Sequence, residues 1–423
     1  MIYDVAVIGM GLAGMSAALS ASEMGATAAL IGSGPGTLNL ASGCIDVMAY
    51  PPNQDNLPVD DPIAAVRQVA SEFSEHPYAI LGDKAVAKTL SWISAHTAAG
   101  GWPLSSDLSK NHRVLTAVGR FKITCLVPES YLAGIDLPLY KPLLILGISG
   151  LRDFSAPMLA EVLQMKGYKV RSTVLQGIPV GFQGHSLGVS RFFSESGIKQ
   201  LGLQIRGFVR PGEIVGIPPI LPPMPDIQYF RELQKVAGVE VFEIPTLPPS
   251  LPGIRLSKAL RARCVSSGVE LWEGVHALSM EESGGKIGSL LLAAGPNQRK
   301  LQAKTFVMAT GSYLSGGIRV KGDTVIEPIF DLPINQKERM PLFSTSFLSS
   351  SGHNAGKLGV GVDSSLRPLG KNGRPAWENL FAAGDILAGH DPLAERCGGG
   401  VAASSGRIAG MNAAVAAGKG KKS

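Results

Sequence analysis

The sequence predicts an α/β fold in which a Rossmann-like nucleotide-binding domain is discontinuous in sequence and encloses an inserted α/β domain. Three observations predict it. A strand–turn–helix near the N-terminus carries Gly9-x-Gly11-x-x-Gly14. A second β-loop-α-β pattern runs from Lys141 to Val174. From Pro252 onward, β-rich and Gly-rich segments return to complete the first domain.

Bulk properties narrow the class. Hydrophobic residues make up 45% of the 423 and charged residues 17%, the composition of a packed globular protein rather than a disordered one. The net charge of +6 is spread along the chain, and the only dense basic run is Lys419, Lys421 and Lys422. There is no nucleic-acid motif. The four cysteines have no C-x-x-C spacing, which argues against a zinc or iron–sulfur site in this chain and fits a reducing cytoplasm. Val5 to Ser22 is uncharged, but Asp4 precedes it and three spaced glycines interrupt it, so it reads as strand–turn–helix rather than membrane span or signal peptide. Membrane association is expected only through a partner.

Tyr3 to Ile8 reads as a strand, Leu12 to Met24 as a helix stopped by Gly25, and Ala26 to Ile31 as the second strand. In this context Gly9 makes the tight turn, Gly11 lets the backbone approach a pyrophosphate, and Gly14 lets helix and sheet pack closely. The N–H groups around Leu12 and Ala13, with the helix dipole, hold the phosphate anion. The acid expected after the second strand is missing. Ser33 stands there instead and offers a weaker hydrogen bond to the ribose.

The later segments decide between flavin and nicotinamide. Arg255 to Cys264 reads as a basic amphipathic helix ending near Gly268, and strands follow at Val269–Trp272, Ala277–Met280 and Ile287–Ala294. An apolar strand then ends in Ala309-Thr310-Gly311, which resembles the second nucleotide-proximal turn of two-domain FAD enzymes. Gly384-Asp385 resembles the Gly-Asp motif of that superfamily, in which the Asp binds the ribityl chain. Gly398-Gly399-Gly400 runs into a helix from Val401 to Ala416, whose start would face the N1/O2 edge of a flavin and stabilise its reduced form. This three-part pattern favours a flavin.

Between these parts, the strand Pro142–Gly147, the loop to Phe154 and a helix to Lys166 form a structural βαβ unit. The domains expected are 1–110 and 244–423 for flavin binding, and 111–243 for the insertion. Pro51–Pro62 and Pro211–Pro225 read as exposed, Pro-rich connections.

Specific strings carry a family resemblance. Leu40-Ala-Ser-Gly-Cys-Ile-Asp46, Gly147-Ile-Ser-Gly-Leu151, Pro245-Thr-Leu-Pro-Pro-Ser250, Gly253-Ile-Arg-Leu256, Gly311-Ser-Tyr-Leu-Ser-Gly-Gly317 and Cys397-Gly-Gly-Gly-Val401 resemble the B subunits of the anaerobic glycerol-3-phosphate dehydrogenases. The resemblance implies oxidation of sn-glycerol 3-phosphate to dihydroxyacetone phosphate. It implies two partner subunits, one containing FAD and one carrying iron–sulfur clusters, with electrons passing toward quinone at the inner face of the membrane. It adds Ser42, Gly43 and Cys44 to the cofactor-binding candidates. It also implies FMN, whereas the complete glycine motif favours FAD.

The family reaction needs a base for the hydroxyl proton and a cation for the phosphate. The catalytic candidates are His390, Arg396 and Arg255, with Glu395, Arg319 and His353 nearby in the motifs. A protein that carries electrons or scaffolds the complex without oxidising substrate, and a stand-alone flavin oxidoreductase, are the alternatives.

Overall fold

The computed structural model describes residues 2–52, 57–105, 107–321, 324–336, 341–346 and 352–420. The chain divides into two compact units, one of Met1–Thr37, Ile45–Ile93 and Leu260–Ser423, the other of Leu38–Cys44 and Ser94–Ala259.

The first unit is built on a sheet with β1 (Ile2–Ile8) near its centre. β1 pairs in parallel with β2 (Ala28–Gly32) on one side and with the second half of β14 (Asn297–Met308) on the other. β11 (Glu270–Glu273) extends the parallel run beyond β2, and β17 (Leu380–Ala382) pairs in parallel with the end of β14. The first half of β14 turns to antiparallel pairing with β13 (Lys286–Ala294), which pairs with β12 (His276–Ser283). Residues 3–8 of β1 are all buried, as expected of a parallel strand covered on both faces.

Helix α1 (Leu12–Glu23) is buried from Leu12 to Ala21 because α10 (Gly398–Ala416) lies against it. A Cβ at Gly406 would come within 2.3 Å of Ala13 O, and one at Gly410 within 2.1 Å of Ala17 O. The two helices therefore touch backbone to backbone and run in the same direction. This unit also holds α2 (Pro62–Glu72), α3 (Pro77–Leu81), the start of α4 (Asp83–Ala99) and the hairpin of β15 (Arg319–Lys321) and β16 (Thr324–Ile326). Asp61 caps α2 by accepting the N–H groups of Ile63 and Ala64. Of the connection expected at 51–62, residues 53–56 lie outside the described residues.

The second unit has a parallel sheet in the order β10-β9-β7-β8, made of β7 (Leu143–Ile148), β8 (Val170–Leu175), β9 (Ile214–Ile217) and β10 (Val241–Glu243). The expected βαβ unit is present, with α5 (Ala156–Met165) joining parallel β7 and β8. Its core packs Leu143, Ile145, Leu159, Leu163 and Phe242 together. Two small antiparallel pairs, β3 (Leu104–Ser105) with β6 (Val127–Pro128) and β4 (His112–Leu115) with β5 (Phe121–Thr124), stand beside α6 (Ser186–Ser190), α7 (Glu195–Phe208) and α8 (Gln228–Ala237). α9 (Leu251–Ser266) begins in this unit and ends in the first.

One expectation is corrected here. Pro211–Pro225 is not an exposed connection, because β9 lies inside it and residues 213–221 are buried. The prolines flank the apolar run Ile214-Val-Gly-Ile217 rather than interrupt it, so it remains free to pair between β7 and β10. Among the described residues, no helix is long and apolar enough to cross a membrane.

Candidate functional site

Register places the site. Ile8 is level with Ile31 in β2 and Met308 in β14, so Gly9, Gly32-Ser33 and Ala309-Thr310-Gly311 leave the sheet at one edge. Gly9 has φ +115, and a Cβ there would sit 2.0 Å from Ala309 O. A Cβ at Gly14 would sit 1.7 Å from Gly9 O. Gly11 differs from both: nothing lies within 4 Å of its Cβ position. It is the N-cap of α1, and no side chain caps the helix. Beside it, Thr310 Oγ1 is buried without a hydrogen-bond partner. Ser33 is exposed just past the end of β2.

The second part of the site lies at the start of α10. The helix begins at Gly398, so the three glycines form its first turn instead of preceding it. No side chain caps it. Gly400 N–H is bonded to Asp46 O at 2.7 Å, while the Gly398 and Gly399 N–H groups have no partner among the described residues. Val401 is buried behind them. Gly406 lies against Ala13, so α10 starts about seven residues ahead of α1, or roughly 10 Å at 1.5 Å per residue. Asp385 occupies the step between the two helix starts. The neighbouring Gly384 packs on Ala13, where a Cβ would meet Ala13 Cβ at 2.7 Å, and Asp385 Oδ1 is 3.7 Å from the Cβ position of Gly398.

His390 lies beside this step. It is 1% exposed, and both ring nitrogens are buried without a hydrogen-bond partner. Its Nε2 is 3.9 Å from Asp385 Oδ1, beyond hydrogen-bond reach. Its ring stands edge-on to His76, with centroids 6.0 Å apart.

Sequence reasoning missed His76. Its Nε2 meets Glu395 Oε2 at 3.1 Å, and its Nδ1 accepts the Tyr78 N–H at 3.0 Å. Nδ1 therefore carries no proton, and Nε2–H is the donor to Glu395. Burial lowers the pKa of His76 and keeps it neutral. Burial pushes the Glu395 carboxyl up, but the His76 hydrogen bond and the Asp391 N–H more than reverse this and hold it ionised. The Cys397 thiol also points at Glu395 Oε2, at 3.4 Å, and burial followed by that charge pushes its pKa well up. His76, Glu395 and Cys397 offer metal-ligand atoms within 4.8 Å of one another, and hydrogen bonds to Glu395 account for their closeness. The only local signal for His76 was its place before Pro77, at the N-cap of α3.

Other predicted residues separate from this group. Arg396 is exposed, with φ +52. Arg319 is exposed on β15, and half-buried His353 accepts the Ser344 N–H. Arg255 is 1% exposed, with its guanidinium held inside the second unit. It binds Glu243 at 2.7 and 2.9 Å, donates to Leu221 O and Pro222 O, and lies over the Trp102 ring. Each guanidinium nitrogen is thus hydrogen-bonded within the unit. Ser42, Gly43 and Cys44 also belong to the second unit. There Ser42 O accepts from Tyr131 Oη, Gly43 packs on Pro252, and Cys44 is buried with Val114, Val127 and Tyr131.

The residues of the first unit fit a flavin nucleotide. The open space over Gly11 and the bare start of α1 suit a phosphate, and the orphaned Thr310 hydroxyl needs a partner. Asp385 lies where a polyol chain would pass between the two helix starts. Residues 4–401 match the FAD binding domain family. The chain is 32% identical over 429 residues to the anaerobic glycerol-3-phosphate dehydrogenase B subunit of Aliivibrio fischeri (strain MJ11), covering 96% of this chain and 93% of that protein. It is 33% identical over 421 residues to the protein of the same name from Vibrio cholerae serotype O1, covering 95% and 94%. It is similar in structure to the open conformation of a flavocytochrome c3 fumarate reductase, at 12% identity and a TM-score of 0.47, over 98% of this chain and 78% of that one. The chain belongs to the FAD binding domain family, and its cofactor is a flavin, with FAD favoured.

Proposed function

We infer the role of this chain from a second family to which it belongs, the B subunits of anaerobic glycerol-3-phosphate dehydrogenase. It is a flavoprotein subunit of a respiratory complex that oxidises sn-glycerol 3-phosphate to dihydroxyacetone phosphate and passes the electrons toward quinone. Its partners are an FAD-containing protein and an iron–sulfur protein, and it reaches the inner face of the membrane through them. The observation that carries the flavin part is the pair of uncapped, glycine-opened helices, offset by about 10 Å with Asp385 between them.

When bound, a flavin supplies a hydride acceptor for the carbinol carbon. The residues of the chain supply the rest. Leu12 and Ala13 N–H at the start of α1 hold the phosphate, with Gly11 keeping the space clear. Asp385 orients the polyol. His390 accepts the hydroxyl proton on a buried ring nitrogen that has no other partner. Arg255 takes no part, because its donors are engaged.

Stopped-flow spectroscopy of the flavin-loaded chain tests the reading. The flavin bleaches on addition of sn-glycerol 3-phosphate, and His390→Gln slows bleaching by about 100-fold or more. Bleaching that appears only after the FAD-containing partner is added would shift the assignment to an electron-transfer role. The engaged guanidinium of Arg255 favours that second reading, since it removes a buried phosphate-binding cation.

A further inference from the structure

No step above uses Glu395, yet it is one of the most constrained side chains of the first unit. It is 5% exposed and lies three residues before Gly398, the first residue of α10. Three donors surround its carboxylate: His76 Nε2–H and Cys397 Sγ–H on Oε2, and Asp391 N–H at 3.0 Å on Oε1. Its carbonyl accepts the Ala49 and Tyr50 N–H groups, both at 3.1 Å. The acceptor role of His76 Nδ1 toward Tyr78 leaves Nε2–H as the only proton His76 can offer. The neutral imidazole solvates the charge of Glu395 without cancelling it.

A buried negative charge beside the N-cap residue of a bare helix start has an electrical consequence. The N–H groups of Gly398 and Gly399 and the dipole of α10 favour negative charge in front of the helix. A carboxylate at the same end opposes that preference, and water screens buried charges poorly. The other titratable groups beside it are His390, Asp385 and Asp391. Asp391 is held by the N–H groups of Leu393 and Ala394.

We propose that Glu395 is a positioning residue that keeps the reduction potential of the bound flavin low, by placing a negative charge beside Cys397, the N-cap residue of α10. The proposal rests on the reading that the flavin ring lies at the first turn of that helix. His76 belongs to the device, because its fixed tautomer prevents it from neutralising the carboxylate.

The test is the midpoint potential of the flavin-loaded chain, measured by dye-equilibrated reduction, for wild type, Glu395→Gln and Glu395→Asp. Glu395→Gln removes the charge and keeps the shape. It is expected to favour the reduced flavin at least tenfold, about 30 mV upward for a two-electron couple. Glu395→Asp keeps the charge and shortens the arm. It is expected to stay within twofold of wild type in that equilibrium while melting at a lower temperature. An unchanged potential in Glu395→Gln overturns the proposal. If Glu395→Gln does not fold, a tenfold shift in Glu395→Asp overturns it instead, because a mere latch would respond to the shortened arm. A wild-type chain that binds no flavin refutes the function proposed above, a result distinct from either of these.

Discussion

The molecule contains two parallel βαβ units that look alike in outline and differ at the start of the helix and at a glycine. In β1-α1-β2 the helix starts at Gly11, which offers no side chain to its first turn. In β7-α5-β8 the helix starts at Ser155, whose hydroxyl accepts the Met158 N–H at 3.4 Å. The first unit leaves its helix N–H groups to a ligand, while the second satisfies one of them itself. The glycines differ too. Gly14 has no room for a Cβ, whereas a Cβ at Gly147 would come no closer than 3.0 Å to any neighbour, the nearest being Ala156 Cβ. Nucleotide binding is thus not a property of the βαβ form. It depends on what fills the space in front of the helix.

Substitutions can break or sharpen this contrast. The largest effect is expected of Gly14→Ala, which drives a methyl into Gly9 O. It should lower stability by about 3 kcal/mol in urea unfolding and leave the purified protein without flavin, whereas Gly147→Ala should cost about 1 kcal/mol and retain it. Next is Gly11→Asp, which gives α1 its own cap in open space. Stability should stay within about 1 kcal/mol of wild type, while the flavin-to-protein absorbance ratio falls to near zero. A protein that kept its flavin would show that the start of α1 is not the phosphate site. Ser155→Ala should destabilise the second unit by about 1 kcal/mol and leave the flavin ratio unchanged.

The smallest effect concerns the far end of β1. Burial raises the Asp4 carboxyl, but hydrogen bonds from Lys304, Thr27 and Lys419 outweigh it and hold its pKa far below the ordinary carboxylate value. The stability this contributes is full above the unfolded value of about 3.9 and is lost as pH falls toward the lower folded value. Asp4→Asn should melt below wild type near pH 6, and the two melting curves should converge as the pH drops below about 3. A constant gap would show that the contribution of Asp4 is not electrostatic.

Much of this architecture was legible because its signals are local. Gly9, Gly11 and Gly14 announce a turn and a close helix contact within six residues, and the Leu143–Leu175 unit shows strand, cap and helix in order. The Ala309–Gly311 and Gly384–Asp385 turns were also readable, each being a short string after an apolar run. What escaped depends on contacts distant in sequence. His76 and Glu395 are 319 residues apart, and nothing local to either announces the other. Arg255 looked available on an amphipathic helix until Glu243, Leu221 and Trp102 closed around it. β9 was hidden because Pro211 and Pro218–Pro219 dominate the composition around four residues that satisfy every requirement of a strand.

The backbone contact between α1 and α10 also bears on how the protein is made. α1 leaves the ribosome almost four hundred residues before α10. At about 5–20 residues per second, the Ala13 and Ala17 face of α1 waits roughly 20–80 s for Gly406 and Gly410 to cover it. The helix pair therefore closes only after α10 has been made.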